Sequence, residues 1–221
     1  MAIGRAVRRF RLPMARAGGA VTAVVTAALL VGCATPSVPL ESFRSRTFQV
    51  EGPAGGRAVS AEEETWRLAH ELRLAGEANP GLPIVKELAA SVSDLVGGGD
   101  RMIVVSGPSI PDHLLAIGSL SSEPTTMSMP EVERGLQGHI DRVTEHPGVR
   151  LTEVTEVETY AIPAGTAVRV SATFESGHAL HRAWVVAEQK PVLFVTFATS
   201  IPYDESRPVF DAMLESIAYL L

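Results

Sequence analysis

Across residues 60–95 and 128–145 apolar side chains recur every three or four positions, and across residues 149–197 they recur every second position. The first spacing belongs to helices with one buried stripe, the second to strands. Ahead of both, Thr47-Phe48-Gln49-Val50 predicts a short strand closed by the turn Gly52-Pro53-Ala54-Gly55-Gly56. Ser60 and Glu63 form a capping box that opens a first helix. Leu68, Leu72 and Ala75 share its inner side, Trp66 points roughly the other way, and Gly76 ends it. Pro83 opens a second helix with the stripe Ile84, Leu88, Val92 and Leu95, stopped by Gly97-Gly98-Gly99. Strands at 102–105 and 114–117 flank a loop from Gly107 to Pro111. A second capping box, Ser128 with Glu131, starts a third helix that buries Val132, Leu136, Ile140 and Val143 and stops at His146-Pro147-Gly148.

From there the period is two. A strand begins at Val149 and Leu151 and runs toward Tyr160, and Pro163-Ala164-Gly165 reverses the chain. Val168, Val170, Ala172 and Phe174 then alternate with Arg169, Ser171 and Thr173, which predicts one core face and one wet face. Turns at Ser176-Gly177 and at Glu188-Gln189-Lys190-Pro191 introduce strands over 180–187 and 192–197, so four consecutive strands make an antiparallel meander. A last helix from about Asp204 turns Phe210, Met213, Leu214 and Ile217 to the sheet. Helices before and after a meander, without regular strand-helix alternation, predict an α+β fold rather than a doubly wound parallel sheet.

The ending carries a resemblance. Val192-Leu193-Phe194-Val195-Thr196-Phe197, then Pro202-Tyr203-Asp204, Arg207-Pro208-Val209-Phe210 and Glu215-Ser216-Ile217 resemble the close of PsbP-like domains, including the LpqN-like lipoproteins of actinobacteria, over roughly the last 120 residues. That resemblance implies an antiparallel sheet sandwiched between helices, in a fold that serves binding and assembly rather than a shared catalytic reaction.

The first residues read differently. A basic head (Arg5, Arg8, Arg9, Arg11, Arg16) precedes an apolar centre at 20–31 and a small residue, Gly32, directly before Cys33, the only cysteine. That is the layout of a signal peptide, and its apolar centre is shorter than the roughly 20 residues a membrane-spanning helix needs. Leu30-Val31-Gly32-Cys33 resembles the lipobox of bacterial lipoproteins, which implies that the Cys33 thiol takes a diacylglyceryl group and becomes the first residue of the mature chain. The competing reading is a buried core cysteine. Arg8-Arg9 lacks the twin-arginine spacing because Phe10 follows at once, so the general secretory route is expected. Residues 1–32 are therefore read as a lipoprotein signal peptide, 33–41 as a short tether with Pro36 and Pro39, and 42–221 as one α+β domain.

Charge narrows the partners. The whole chain holds 19 basic and 25 acidic residues, and five arginines with no acid fall within 1–32. The remainder carries 14 against 25, a formal net charge of −11. Such a domain is repelled by nucleic acid and by anionic headgroups, so a covalent lipid rather than a basic patch has to supply membrane attachment, on the extracytoplasmic face. Lys86 and Lys190 are the only lysines, a composition that points to a high-GC bacterium such as an actinobacterium.

Candidate chemistry is sparse. His178 and His181 are three apart on a strand and so face opposite ways, which argues against a shared metal ion. His70, His113, His139 and His146 fall in separate helices or loops. Ser106 lacks the glycines of a nucleophile elbow, Gly97-Gly98-Gly99 precedes a strand and reads as a helix stop, not a phosphate cradle, and Glu62-Glu63-Glu64 suits the positive end of a helix dipole. Met127, Met129 and Pro130, with Trp184, form either a ligand surface or part of the core. No cofactor is expected. Three functions stay open: a membrane-anchored envelope protein that binds a protein partner without catalysis; a carrier or receptor for an apolar small molecule, which requires a cavity of about 300 Å³ or more; and a hydrolase with a dispersed Ser-His-Asp site.

Overall fold

An antiparallel sheet of eight strands, buried on both faces, organises this computed structural model, which describes residues 38–107, 111–119, 124, 127–145 and 150–220. In chain order the elements are β1 (Leu40–Arg44), β2 (Phe48–Pro53), β3 (Arg57–Val59), α1 (Glu62–Ala78), α2 (Pro83–Asp94), β4 (Arg101–Ser106), β5 (His113–Ser119) and α3 (Met129–Glu145). They continue with β6 (Leu151–Val154), β7 (Glu158–Ile162), β8 (Gly165–Phe174), β9 (Ala179–Val186), β10 (Leu193–Thr199), α4 (Tyr203–Glu215) and β11 (Ala218–Tyr219). The large sheet runs β3-β4-β5-β10-β9-β8-β6, with β7 also on β8, and a small sheet runs β1-β2-β11. The architecture is α+β, as the helix-meander-helix pattern predicts.

Two cores form because the strands alternate. Leu114, Ala116, Val168, Val170, Phe174, Leu180, Trp184 and Phe194 point to the layer of α1, α2 and α3. Leu115, Ile117, Ala183, Val185, Val195 and Phe197 point to α4 and the small sheet, where they meet Phe48, Val50, Phe210 and Met213. The expected meander is present: β10 pairs β9 with Phe194 opposite Trp184, and β9 pairs β8 with Trp184 opposite Val168. Its free edge is closed by β5, paired to β10 with Val195 opposite Ile117.

Several expectations need correction. The second face of β8 is not wet: Arg169 and Ser171 are buried under α4, because the small sheet and α4 cover the side that alternation alone assigns to solvent. The strand expected from Val149 to Tyr160 is two strands, β6 and β7. A bulge between Leu151 and Glu153 and a break before Glu158 let both pair with β8, the first opposite Phe174 and the second opposite Arg169; Val149 itself lies outside the described residues. Ser60 makes no capping box, since the helix starts one residue late, with Ala61 at the cap and no side-chain cap bond. Instead Thr65 Oγ1 donates to the Ala61 carbonyl. Gly76 does not end α1 either. The helix continues to Ala78, Asn79 Nδ2 donates to the Ala75 carbonyl, and a Cβ on Gly76 would stand 2.9 Å from Lys86 Cγ, so this glycine allows α1 and α2 to approach. Of the second capping box only the return half forms: Glu131 Oε2 accepts from Ser128 N–H at 2.8 Å and from its hydroxyl at 2.7 Å, while the Glu131 N–H donates to the Ser128 carbonyl at 2.9 Å rather than to its hydroxyl. Leu40 and Glu41, read as tether, pair with Pro53 and Gly52 in β1-β2, and Val38 is buried in the α4-side core.

The contact between α3 and the sheet rests on one missing side chain. A Cβ on Gly135 would lie 2.4 Å from Trp184 Cη2, whereas one on Gly138 meets nothing within 4 Å. Gly135→Ala should therefore cost about 1–3 kcal/mol through overpacking. Gly138→Ala should add up to about 1 kcal/mol from helix propensity. Thermal or denaturant unfolding of the two variants distinguishes them by sign.

Candidate functional site

Most polar groups that alternation places inside the sheet find partners there, while Tyr160 OH, Trp184 Nε1 and Thr196 Oγ1 stay buried without one among the described residues. On the α4 side, His181 of β9 is fully buried, with Ser171 Oγ 2.8 Å from Nδ1 and Ser206 Oγ 2.8 Å from Nε2. The Ser206 hydroxyl also donates to the Tyr203 carbonyl at 3.2 Å, so it accepts from Nε2–H, which leaves Nδ1 to accept from Ser171. Phe197, Tyr203 and Phe210 stack around the ring at 5.2–6.0 Å. Burial, with the Arg169 and Arg207 charges behind it, pushes the imidazole down to about 3. A serine does meet a histidine here, yet a second serine occupies the place a triad gives its carboxylate, and the ring has no surface to offer a substrate.

Beside it, Arg169 of β8 donates through Nε to Glu158 Oε2 of β7 at 2.8 Å, pairs with Asp211 of α4 and lies over the Tyr160 ring at 4.8 Å. The Arg169 hydrogen bonds hold the Glu158 carboxyl below its ordinary value. On the opposite face Arg182 of β9 is buried, donates to Ser91 Oγ of α2 at 2.9 Å and stands 3.6 Å from Glu87. His139 of α3 stacks on Phe194 at 5.5 Å and is pushed down to about 4 by burial and by the charges of Arg182 and Arg142. These networks tie helices to strands, which is where buried ion pairs contribute specificity of packing.

The other candidates disperse. Cys33 and the leader lie outside the described residues, as does His146. His178 sits half-buried before β9 with Nδ1 3.0 Å from Ser176 Oγ, on the other side of the sheet from His181, so the two do not converge. His113 bonds Thr199 Oγ1 at 2.8 Å, and His70 is exposed on α1. Ser106 is at the end of β4 with its hydroxyl buried and unpaired. Gly97 adopts φ +81°, the conformation of a helix stop. Glu62 pairs with Arg101 and Glu64 with Arg67. Trp184 belongs to the core, and Met127 and Met129 pack against that core from its margin. Among the described residues no three His, Cys, Asp or Glu side chains stand close enough to hold a metal ion. The enclosed space between α2 and β10, lined by Ile84, Leu88 and Ala198, is about 10 Å³, far below what a small molecule occupies.

What the interior does not use is on the outer face of α1 and α2. Trp66 is 57% exposed, against 7% for Trp184. Beside it, between the two helices, runs an open groove of about 340 Å³ floored by Ala69 and Ala89 and walled by Trp66, His70, Arg73 and Lys86. Arg73 donates to Glu77 at 2.5 Å and lies 3.3 Å from His70 Nδ1. Lys86 is exposed, and among the described residues no carboxylate lies within ion-pair distance of it. The sequence signals for this surface are the outward setting of Trp66 and one of only two lysines. What the sequence does not reveal is that α2 lies alongside. A second open depression, of about 770 Å³, runs past Met127, Val186 and Ala187.

No family model matches the chain, and no curated protein matches its sequence. Among solved structures it is similar to the cyanobacterial PsbP protein of Synechocystis sp. PCC 6803, at 10% identity and TM-score 0.45, over 83% of this chain and 94% of that one. It is also similar to the type VI secretion immunity protein TplEi of Pseudomonas aeruginosa, at 10% identity and TM-score 0.44, over 81% and 97% of the two chains. A third is the extracellular domain of PknH from Mycobacterium tuberculosis, at 12% identity and TM-score 0.32, over 80% and 83%.

The buried imidazoles give the protein a pH dependence with a definite sign. Unfolding frees His181 and His139 to bind protons near 6.5, while folding depresses both. The unfolded state thus holds more protons as the pH falls through that window, and their stabilising contribution is complete above about pH 6.5 and is lost on acidification. Melting temperature should fall from pH 7 to pH 5, before most carboxylates titrate. His181→Asn should be less stable at pH 7 yet show a shallower fall.

Proposed function

We propose that this protein is a membrane-anchored lipoprotein of the bacterial cell envelope that acts as a non-enzymatic binding module for a protein partner. The observation that carries the binding half is Trp66: a large apolar ring left mostly in water, beside a groove, in a domain whose other aromatic side chains are used in packing. Exposed indoles of this kind are the residue type that dominates protein interfaces. What supports anchoring is the sequence Leu30-Val31-Gly32-Cys33 after a basic, then apolar, leader. A thioether-linked diacylglyceryl group brings two chains, each buried methylene contributing about 0.8 kcal/mol, enough for stable attachment where one chain is not. Among the described residues no helix is long and apolar enough to cross a membrane. The lysine-poor, alanine- and arginine-rich composition fits an actinobacterial source.

The sealing of His181 between two serines weighs against the hydrolase alternative. Against an apolar carrier weighs that the enclosed space between α2 and β10 is about 10 Å³, while the depressions of about 340 and 770 Å³ are open to solvent. Cys33→Ala should abolish incorporation of a labelled fatty acid and leave the chain uncleaved or released from the membrane fraction. Labelling and fractionation equal to the parent protein would remove the anchored reading.

A further inference from the structure

The groove between α1 and α2 has a charge opposite to that of the chain that carries it. Its titratable walls are His70, Arg73 and Lys86, with no carboxylate among the lining residues, in a sequence whose part beyond residue 32 has a formal net charge of −11. Glu77 engages one side of Arg73, and among the described residues no carboxylate stands within ion-pair distance of Lys86. The floor of Ala69 and Ala89 is apolar and shallow, and Trp66 stands at its rim. From these observations we infer that the groove docks an acidic amphipathic helix of a protein partner, its apolar side chains against Trp66 and the alanine floor, its carboxylates on Arg73 and Lys86. The inference rests on the binding-module reading and specifies the chemistry of the partner.

Other occupants fit less well. A second copy docking by two-fold symmetry would set Arg73 and Lys86 against their own equivalents. An anionic lipid surface is extended and would meet Glu63, Glu64, Glu71 and Glu77 of α1 together, whereas a single helix seated between α1 and α2 can turn its carboxylates to Arg73 and Lys86 and its other faces away from those glutamates. The chain's own leader is basic, and the described chain begins at Val38 in the core on the opposite face of the sheet. A helix laid into a groove between two helices needs anchors only at positions three and four apart, which suits a space of about 340 Å³.

The test uses the full-length protein in phosphatidylcholine nanodiscs and two synthetic helical peptides with one identical leucine face, one bearing glutamates and the other lysines on the polar face. The glutamate peptide should shift Trp66 emission to the blue and bind at least tenfold more tightly than its lysine twin, with an advantage that shrinks as salt is added. Trp66→Phe should remove the spectral shift. Arg73→Glu with Lys86→Glu should reverse the order of the peptides, and Lys86→Gln alone, an exposed and fold-neutral change, should reduce the preference. Equal binding of the twins, a preference unmoved by these substitutions, or Trp66 emission that responds to the lipid before any peptide is added would overturn the inference. Equal binding of both peptides with a Trp66-dependent shift would overturn the acidic-partner inference and leave the binding-module reading standing, whereas binding of neither peptide would count against both, and fatty-acid labelling of Cys33 reads the anchored half separately.

Discussion

Burial of the central sheet on both faces is the constraint from which the other features follow. A sheet with one solvated face can leave its alternate positions polar at no cost. Here α1, α2 and α3 cover one side and α4 with the small sheet covers the other, so every polar side chain on β8 and β9 has to find a partner inside or forfeit its hydration. Arg169, Ser171, His181 and Arg182 each do so, with groups contributed by β7, α4 and α2. The polar positions thereby become the links that fix where the covering elements sit.

That arrangement also decides where chemistry is possible. The histidine with the most complete hydrogen bonding is the one furthest from solvent, and it is held neutral by the same burial that removes it from any substrate. Two cationic side chains on adjacent strands point to opposite layers and are neutralised there, Arg169 by Glu158 and Asp211, Arg182 by Glu87. These pairings neutralise the buried charge on β8 and β9, while Ser106 Oγ, Tyr160 OH, Arg182 Nε, Trp184 Nε1 and Thr196 Oγ1 stay buried without a hydrogen-bond partner among the described residues. On the outer surface α1 and α2 present the Trp66 indole and the exposed Lys86 ammonium.

Much of the fold is legible in the residues. The stripes Ile84-Leu88-Val92 and Val132-Leu136-Ile140 are buried as their spacing demands, and the meander from β8 to β10 follows its turns. Three things are not legible, each for a physical reason. Strand pairing between distant segments, such as β5 with β10, leaves no local trace. A face called polar by alternation becomes core when a later element, here α4, folds over it. Short strands such as β3 and β11 are held by the sheet edge they join rather than by their own pattern. The surface groove belongs to the same class: Trp66 is visibly off the buried stripe, but its neighbours across the groove come from another helix. Gly76 misleads for a related reason, since its small size serves helix contact and not helix termination.

Native-state hydrogen exchange tests the two-sided sheet most directly. If β9 and β10 are the doubly covered centre, amides paired within Leu193–Thr199 and Ala179–Val186 exchange only through global unfolding, and they do so together. Exchange of those amides as fast as at the edge strands β3 and β7, or separately for β9 and β10, would contradict the account.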